Sequence, residues 1–139
     1  MLGAIAGDIS GAPYEAAPIK TTDFDLFGPG VRYTDDSVCT VAVADALMQD
    51  ADVAERLRAW GAAHPDAGYG GMFRQWLADP GRGAYGSYGN GAAMRVSPVT
   101  WVAEDEDQCL RLAEITAAVS HDHPEAIAGA QARPSPLKR

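Results

Sequence analysis

The sequence predicts an all-α protein, and three observations support this fold class. Apolar residues recur at helical spacing behind residues that favour helix starts, such as Asp52, Ser97 and Pro124. No stretch alternates apolar and polar residues over the length of a convincing strand, and no internal repeat is present. The chain has 139 residues, which is enough for one domain at most. A single helical domain follows from these features.

The composition is ordinary for a soluble globular protein, with 47% apolar and 22% charged residues. No stretch approaches the ~18 to 20 apolar residues that a membrane helix needs. The N-terminus lacks the basic residues of a signal peptide, and Asp8 interrupts its apolar run, so we expect a cytoplasmic protein. The net charge of −8 argues against binding the nucleic-acid backbone through a basic surface, but it does not exclude a small nucleotide ligand.

The first half of the chain predicts two helices separated by a long loop. In residues 2–12 the glycines Gly3, Gly7 and Gly11 recur every four residues, which leaves a helix face open to the close approach of a neighbour, and Pro13 ends this helix. Residues 16–33 contain two prolines and little periodicity, as a loop would. Residues 36–49 are apolar nearly all round, which indicates a buried central helix.

The second half predicts a series of shorter helices. Asp52 and Glu55 resemble a capping box at the start of a surface helix over residues 52–64. Cys39 and Cys109 fall inside predicted helices and far apart in sequence, which favours two reduced core thiols over a disulfide or a zinc pair. The remaining predicted helices are residues 72–77, residues 91–96, a helix opened by Ser97 and Pro98, residues 105–119, and residues 124–132.

The most informative motif is the run Thr34, Asp35, Asp36 and Ser37 at the start of the central helix. Hydroxyl and carboxylate oxygens are the donors that Mg²⁺, Mn²⁺ or Ca²⁺ prefers. The same residue types also cap helices and complement the helix dipole, and taken alone the motif favours capping.

A glycine-rich stretch, residues 85–95, forms the second motif. Its glycines can bring backbone N–H groups close to a phosphate or ribose, and a helix opened by Gly91 would attract anions at its N-terminus. Arg95 adds a planar cation suited to phosphate or carboxylate. Alternatively, Asn90 and Gly91 merely supply positive φ in a turn.

The third motif contains His121 and His123 between two helices. Histidines two residues apart do not share a helix face, which argues against a helical metal pair. We therefore expect His121 in a ligand pocket and His123 at a helix start, although ordinary helix-start signals explain much of this segment. Glu15, and Tyr69 with Gly70, are further candidates that are weak singly.

In this order, the motifs resemble those of the ADP-ribosylglycohydrolases, the family that includes the dinitrogenase reductase-activating glycohydrolase. The resemblance covers residues 2 to about 131 and rests on residues 7–15, 34–37, 68–70, 89–95 and 120–124. It implies an all-α domain with a binuclear Mg²⁺ or Mn²⁺ centre. Such a domain hydrolyses the glycosidic bond between ADP-ribose and a protein side chain or small molecule.

The resemblance also implies roles for individual residues. Thr34, Asp35 and Asp36 would be metal ligands, and Glu15 would lie near the reacting ribose, so that Glu15, Asp35 and Asp36 are the catalytic candidates. The substrate-binding candidates are Tyr69, Gly70, Gly89, Asn90, Gly91, Met94, Arg95 and His121.

The chain departs from the family pattern near its end. The family has a second metal-binding run, Asp-x-Asp-Thr, in a late helix, and no aspartate follows Asp122 here. We expect a C-terminally truncated helical domain over residues 1–132 and a disordered basic tail over residues 133–139. Hydrolysis would then be weak or lost. The alternatives are a non-catalytic module that binds ADP-ribose or a nucleotide, or a helical scaffold that self-associates through uncovered apolar surface.

Overall fold

The computed structural model describes residues 1–132, and the tail predicted over residues 133–139 lies outside them. Every regular element in the described part is helical, which confirms the all-α fold. A single 3-10 turn, Ala12–Tyr14, follows the first helix. The α-helices are α1 (Leu2–Gly11), α2 (Asp35–Gln49), α3 (Val53–Ala63), α4 (Gly71–Ala78), α5 (Val99–Val102), α6 (Glu106–Ala118) and α7 (Pro124–Gln131). None of the helices in residues 1–132 is long and apolar enough to span a membrane.

Helix α2 is the buried centre of the fold, as its apolar sequence predicts. Eight of its residues, including Val43 and Ala42, are buried, and it contacts α1, α3 and α5. One core cluster joins α2 to α3 and α4 around Trp76, which is 0% exposed. This packing fixes the start of α2 against the rest of the molecule.

A second core cluster joins α5, α6 and α7. Its central side chains are small, with Ala113, Ala117 and Ala130 all at 0% exposure, which lets α6 and α7 approach closely. Cys39 and Cys109 are both buried and free, which confirms the prediction of two core thiols.

Helix α1 does not use its glycine face in the way the sequence predicts. A Cβ atom added at Gly3, Gly7 or Gly11 would meet no described atom within 4 Å, so no neighbour packs closely there. The helix has no buried residue. It is held instead by the carboxylate of Asp8, which hydrogen-bonds to the start of α2.

The prediction of a helix over residues 91–96 is wrong. Met94 N donates to Asn90 O at 2.9 Å, which closes one turn, but no helix continues from it. Pro98 has no N–H to donate to the carbonyl of Met94, and that carbonyl accepts instead from the hydroxyl of Thr40 at 3.4 Å. The segment therefore consists of consecutive turns.

Candidate functional site

The start of α2 is held by a network of hydrogen bonds. Oγ1 of Thr34 accepts from the backbone N–H of Asp36 at 3.3 Å, so Thr34 caps the helix as the capping interpretation predicts. The Asp8 carboxylate accepts from N and Oγ1 of Thr34 at 2.8 and 2.6 Å, and from N of Ser37 at 3.2 Å. Asp8 thus satisfies the N–H groups of Thr34 and Ser37 at this helix end.

Four carboxylates gather around this helix start. Burial, and then the charge of Asp36, raises the pKa of Asp35 to about 6, with smaller effects from Glu15 and Asp8. Burial, and then the charges of Asp8 and Glu15, raises the pKa of Asp36 as well. In residues 1–132 none of the four forms an ion pair with a basic side chain. The cluster therefore lacks a counter-charge within the described chain.

Hydroxyl and carboxylate oxygens are the donor types that Mg²⁺ or Mn²⁺ prefers, but no group of three or more His, Cys, Asp or Glu side chains in residues 1–132 is arranged to hold a metal ion. Oγ1 of Thr34 already donates to Asp8 and accepts from Asp36, so one lone pair of this oxygen remains for an ion. The half-buried carboxylates of Asp35 and Asp36 are the more available ligands.

A cleft of about 220 Å³ lies beside the carboxylate cluster, with Asp35 in its wall. That size suits part of a nucleotide sugar, since pockets for drug-sized ligands measure roughly 300 to 1,000 Å³. The structure brings together in this wall most of the residues that the sequence analysis selects for substrate binding: Gly70, Gly89, Asn90, Gly91, Met94, Arg95 and His121.

Besides Thr34 and Asp36 at the helix start, two predicted site residues do not line the cleft. Tyr69 belongs to the core at 4% exposure, and burial raises the pKa of its hydroxyl, which has no hydrogen-bond partner in residues 1–132. Glu15 is exposed at the end of the 3-10 turn, close enough to Asp35 and Asp36 for its charge to raise the pKa of both.

Gly91 is needed for a close contact, not for an unusual backbone angle. A Cβ atom at Gly91 would lie 2.6 Å from Nε2 of His121 and 2.8 Å from Cε1. The backbone of Asn90 and Gly91 does not adopt positive φ, so that alternative is wrong, and Gly86 is the glycine with positive φ in this stretch, at +67°. The glycine-rich stretch thus packs directly on the histidine motif.

Arg95 points into the protein. Its side chain is 0% exposed, and Nη2 donates to the carbonyls of Thr116 and Ala117 at 2.8 and 3.4 Å and to Oγ of Ser120 at 2.8 Å. A cation at the last carbonyls of α6 complements the helix dipole. Arg95 is therefore chiefly a support behind the cleft, although its Nε and Nη1 have no partner in the described chain.

The two histidines take different places, as the sequence predicts. Nδ1 of His121 lies 2.8 Å from Oγ of Ser120, and burial, followed by the charge of Arg95, lowers the pKa of His121 to about 4. His123 caps α7, accepting at Nδ1 from the N–H of Glu125 at 3.2 Å. His121 is thus the neutral pocket histidine, and His123 is structural.

The sequence analysis gives no role to Asp8 or Asp122, although both organise the site. Asp8 is the one charged residue in α1, and this isolated charge is the sequence feature that could have indicated its role. Oδ1 of Asp122 accepts from N of Gly86 at 2.6 Å, and so connects the histidine motif to the glycine-rich stretch. Nothing in the local sequence around Asp122 indicates that long-range bond.

Comparison with known proteins identifies relatives of this chain. Residues 1–133 match the family model described as ADP-ribosylglycohydrolase. The mouse protein named ADP-ribosylhydrolase ARH3 is 28% identical over 87% of this chain, which corresponds to 42% of the mouse protein. The bovine protein of that name is 28% identical and the human one 27%, each over 87% of this chain and 43% of its own length. The chain therefore spans less than half of these relatives.

Proposed function

The chain belongs to the ADP-ribosylglycohydrolase family, and from this premise we propose that residues 1–132 form the ADP-ribose-binding part of a metal-dependent glycohydrolase site. The observation that carries the proposal is the position of Asp35. This residue is both a member of the uncompensated carboxylate cluster and a wall of the cleft that Gly91 and His121 also line. The groups that we propose for cation binding and for ligand binding thus lie next to each other.

Asp35 and Asp36, with Oγ1 of Thr34, are the groups that would hold Mg²⁺ or Mn²⁺. When bound, such ions orient ribose hydroxyls and lower the pKa of a bound water. The family resemblance implies two ions, and the ligands on this chain account for part of that coordination.

The chain's own residues supply binding and proton transfer. Cleavage at the anomeric carbon of ribose develops positive charge, which a nearby carboxylate such as Glu15 would stabilise. Glu15 is exposed to water beside Asp35 and Asp36, and a carboxylate in that place can accept a proton from the attacking water. Residues 89–91 and His121 would hold the rest of the ligand in the cleft.

Turnover by residues 1–139 alone is expected to be absent or reduced by several orders of magnitude. The family's Asp-x-Asp-Thr run does not occur in these residues, and without it water and ribose would be positioned from one side only. Binding without efficient hydrolysis is therefore the proposed behaviour of this chain. Supplying a segment that contains the Asp-x-Asp-Thr run should restore part of the activity.

The test is amide hydrogen exchange in the presence of Mg²⁺, with and without saturating ADP-ribose. Protection is expected at the backbone N–H groups of residues 89–94, and helix α3, none of whose residues lines the cleft, should serve as the internal reference. Unchanged exchange over residues 89–94 would remove this loop from the binding site.

A metal titration by calorimetry completes the test. Asp35→Asn should weaken Mg²⁺ or Mn²⁺ binding by about tenfold or more, because it removes a charged ligand. Glu114→Gln is the matched control, since it removes one negative charge from an exposed position on α6. Equal metal affinity for the native chain and Asp35→Asn would eliminate Asp35 as a ligand.

A further inference from the structure

A line of hydrogen bonds runs behind the cleft from Arg95 through Ser120 to His121. Nη2 of Arg95 lies 2.8 Å from Oγ of Ser120, and the same oxygen lies 2.8 Å from Nδ1 of His121. Arg95 and Ser120 are both 0% exposed, so water does not compete for these contacts. The hydroxyl proton of Ser120 must therefore find its acceptor within the protein.

Arg95 determines which atoms donate and which accept in this line of hydrogen bonds. A guanidinium carries only donors, so Oγ of Ser120 is the acceptor in the first contact. Within residues 1–132, Nδ1 of His121 is the acceptor that lies within reach of the Ser120 hydroxyl proton. A proton on Nδ1 would leave that hydroxyl proton buried and unpaired, which is unfavourable. Nδ1 is therefore the unprotonated nitrogen.

The proton of His121 then belongs on Nε2. Burial, together with the charge of Arg95, lowers the pKa of His121 to about 4, so the ring is neutral at pH 7 and carries one N–H. The Nε2 edge of the ring faces Gly91, where an added Cβ would approach to 2.6 Å, and both residues line the cleft. Nε2 has no hydrogen-bond partner among the residues that the structure describes.

We propose that Arg95 and Ser120 are positioning residues that hold His121 as the Nε2–H tautomer, so that the cleft offers a neutral donor to an acceptor oxygen of its ligand. The identity of that ligand as ADP-ribose rests on the proposed function. The other tautomer would present a lone pair at Nε2 and would repel the same oxygen. If one tautomer is fixed before binding, the free energy of selecting that tautomer does not reduce the affinity for the ligand.

The tautomer can be observed directly by NMR with ¹⁵N-labelled histidine. The chain contains three histidines, and His121→Gln assigns the relevant signals. At pH 7 the native spectrum should show Nε2 protonated and Nδ1 unprotonated. Ser120→Ala should produce a mixture of the two forms, and Ser120→Thr, which keeps the hydroxyl, should restore the native pattern. A native spectrum with Nδ1 protonated overturns the proposal even if the Ser120→Ala chain fails to fold.

The matched control is Thr116→Val. Thr116 is a buried residue of α6, and its hydroxyl donates to the carbonyl of Ala113 at 3.1 Å, so the variant loses a buried hydroxyl without touching His121. The histidine spectrum of Thr116→Val should match that of the native chain. A tautomer shift of equal size in Thr116→Val and Ser120→Ala would mean that loosening of α6, not the hydrogen bond, controls the ring, and would overturn the proposal.

Binding of ADP-ribose in the presence of Mg²⁺ provides the second arm. Ser120→Ala should bind about 3- to 10-fold more weakly than the native chain, as expected for one weakened hydrogen bond, and Thr116→Val should stay within about twofold. Equal affinities for Ser120→Ala and the native chain overturn the proposal. If the native chain shows the Nε2–H form but binds no ADP-ribose, the proposed function fails, while the positioning of His121 is supported.

Discussion

Replacing Gly91 by alanine tests the contact on which the geometry of the cleft depends. The added Cβ would lie 2.6 Å from Nε2 of His121, whereas ordinary van der Waals contact begins at 3.4 Å, so a gap of 3.4 − 2.6 = 0.8 Å must be made up by movement. The ring has little freedom to move, because Nδ1 is held 2.8 Å from Oγ of Ser120. Either that hydrogen bond lengthens or the backbone of residues 89–91 shifts into the cleft.

The expected cost of Gly91→Ala is about 1 to 3 kcal/mol of unfolding free energy, which is typical of an overpacked site. Backbone strain does not add to this cost, since Gly91 does not have positive φ. ADP-ribose affinity should fall about tenfold or more, because the perturbed ring and loop both line the cleft. Urea denaturation at pH 7 and a calorimetric titration measure the two effects.

Gly71→Ala is the control for this experiment. Gly71 also lines the cleft, but a Cβ atom there would meet no described atom within 4 Å, and the residue lies in the first turn of α4. Alanine favours a helix over glycine by up to about 1 kcal/mol, so this variant should be neutral or slightly stabilised. If Gly91→Ala were as stable as Gly71→Ala and bound ADP-ribose equally well, the close packing of Gly91 on His121 would be refuted.

Two further predictions concern stability. Asp8→Ala should lower the free energy of unfolding by about 2 to 4 kcal/mol, because it removes the acceptor of three hydrogen bonds. Asp52→Ala is the control, since it removes a single capping hydrogen bond and should lower the free energy of unfolding by about 1 kcal/mol. Equal losses for the two variants in urea denaturation would contradict this prediction. The folded-state pKa of His121 is about 4, below its ordinary value of 6.5, so the unfolded chain takes up the proton first and His121 reduces stability as pH falls from 6.5 to 4. His121→Asn should therefore gain stability relative to the native chain over that pH range, and a pH-independent difference between the two would argue against a buried neutral ring.

Local sequence signals predict the helix starts well. Asp52 accepts from the N–H of Glu55 at 2.8 Å, and Pro124 is the first residue of α7 behind the His123 cap. These features depend on neighbours within a few residues, so the sequence contains all the information needed.

Predictions that depend on distant partners are less successful. The segment from Gly91 to Val96 has helix-forming residues, but the hydroxyl of Thr40 contacts its backbone and Arg95 is buried against α6. The glycines of α1 likewise predict close packing that the described residues do not provide. Such outcomes depend on tertiary contacts that no local pattern encodes.

The candidate site shows the same division. The sequence identifies the acidic start of α2, the glycine-rich stretch and His121 by residue type, and the structure brings these together at the cleft. The sequence does not reveal that Asp8 connects α1 to the start of α2 by hydrogen bonds. Nor does the sequence reveal that Arg95 points inward to Ser120 instead of outward to a ligand. In both cases the type of residue was informative, but its partner was not.

The most direct test of the central claim is the coupling between Mg²⁺ and ADP-ribose. If the carboxylates at the start of α2 and the cleft form one site, saturating Mg²⁺ should raise the affinity of the native chain for ADP-ribose, and by linkage ADP-ribose should raise the affinity for Mg²⁺ by the same factor. The enhancement should disappear in Asp35→Asn and persist in Glu114→Gln. An ADP-ribose affinity that is identical with and without Mg²⁺ in the native chain would contradict the account.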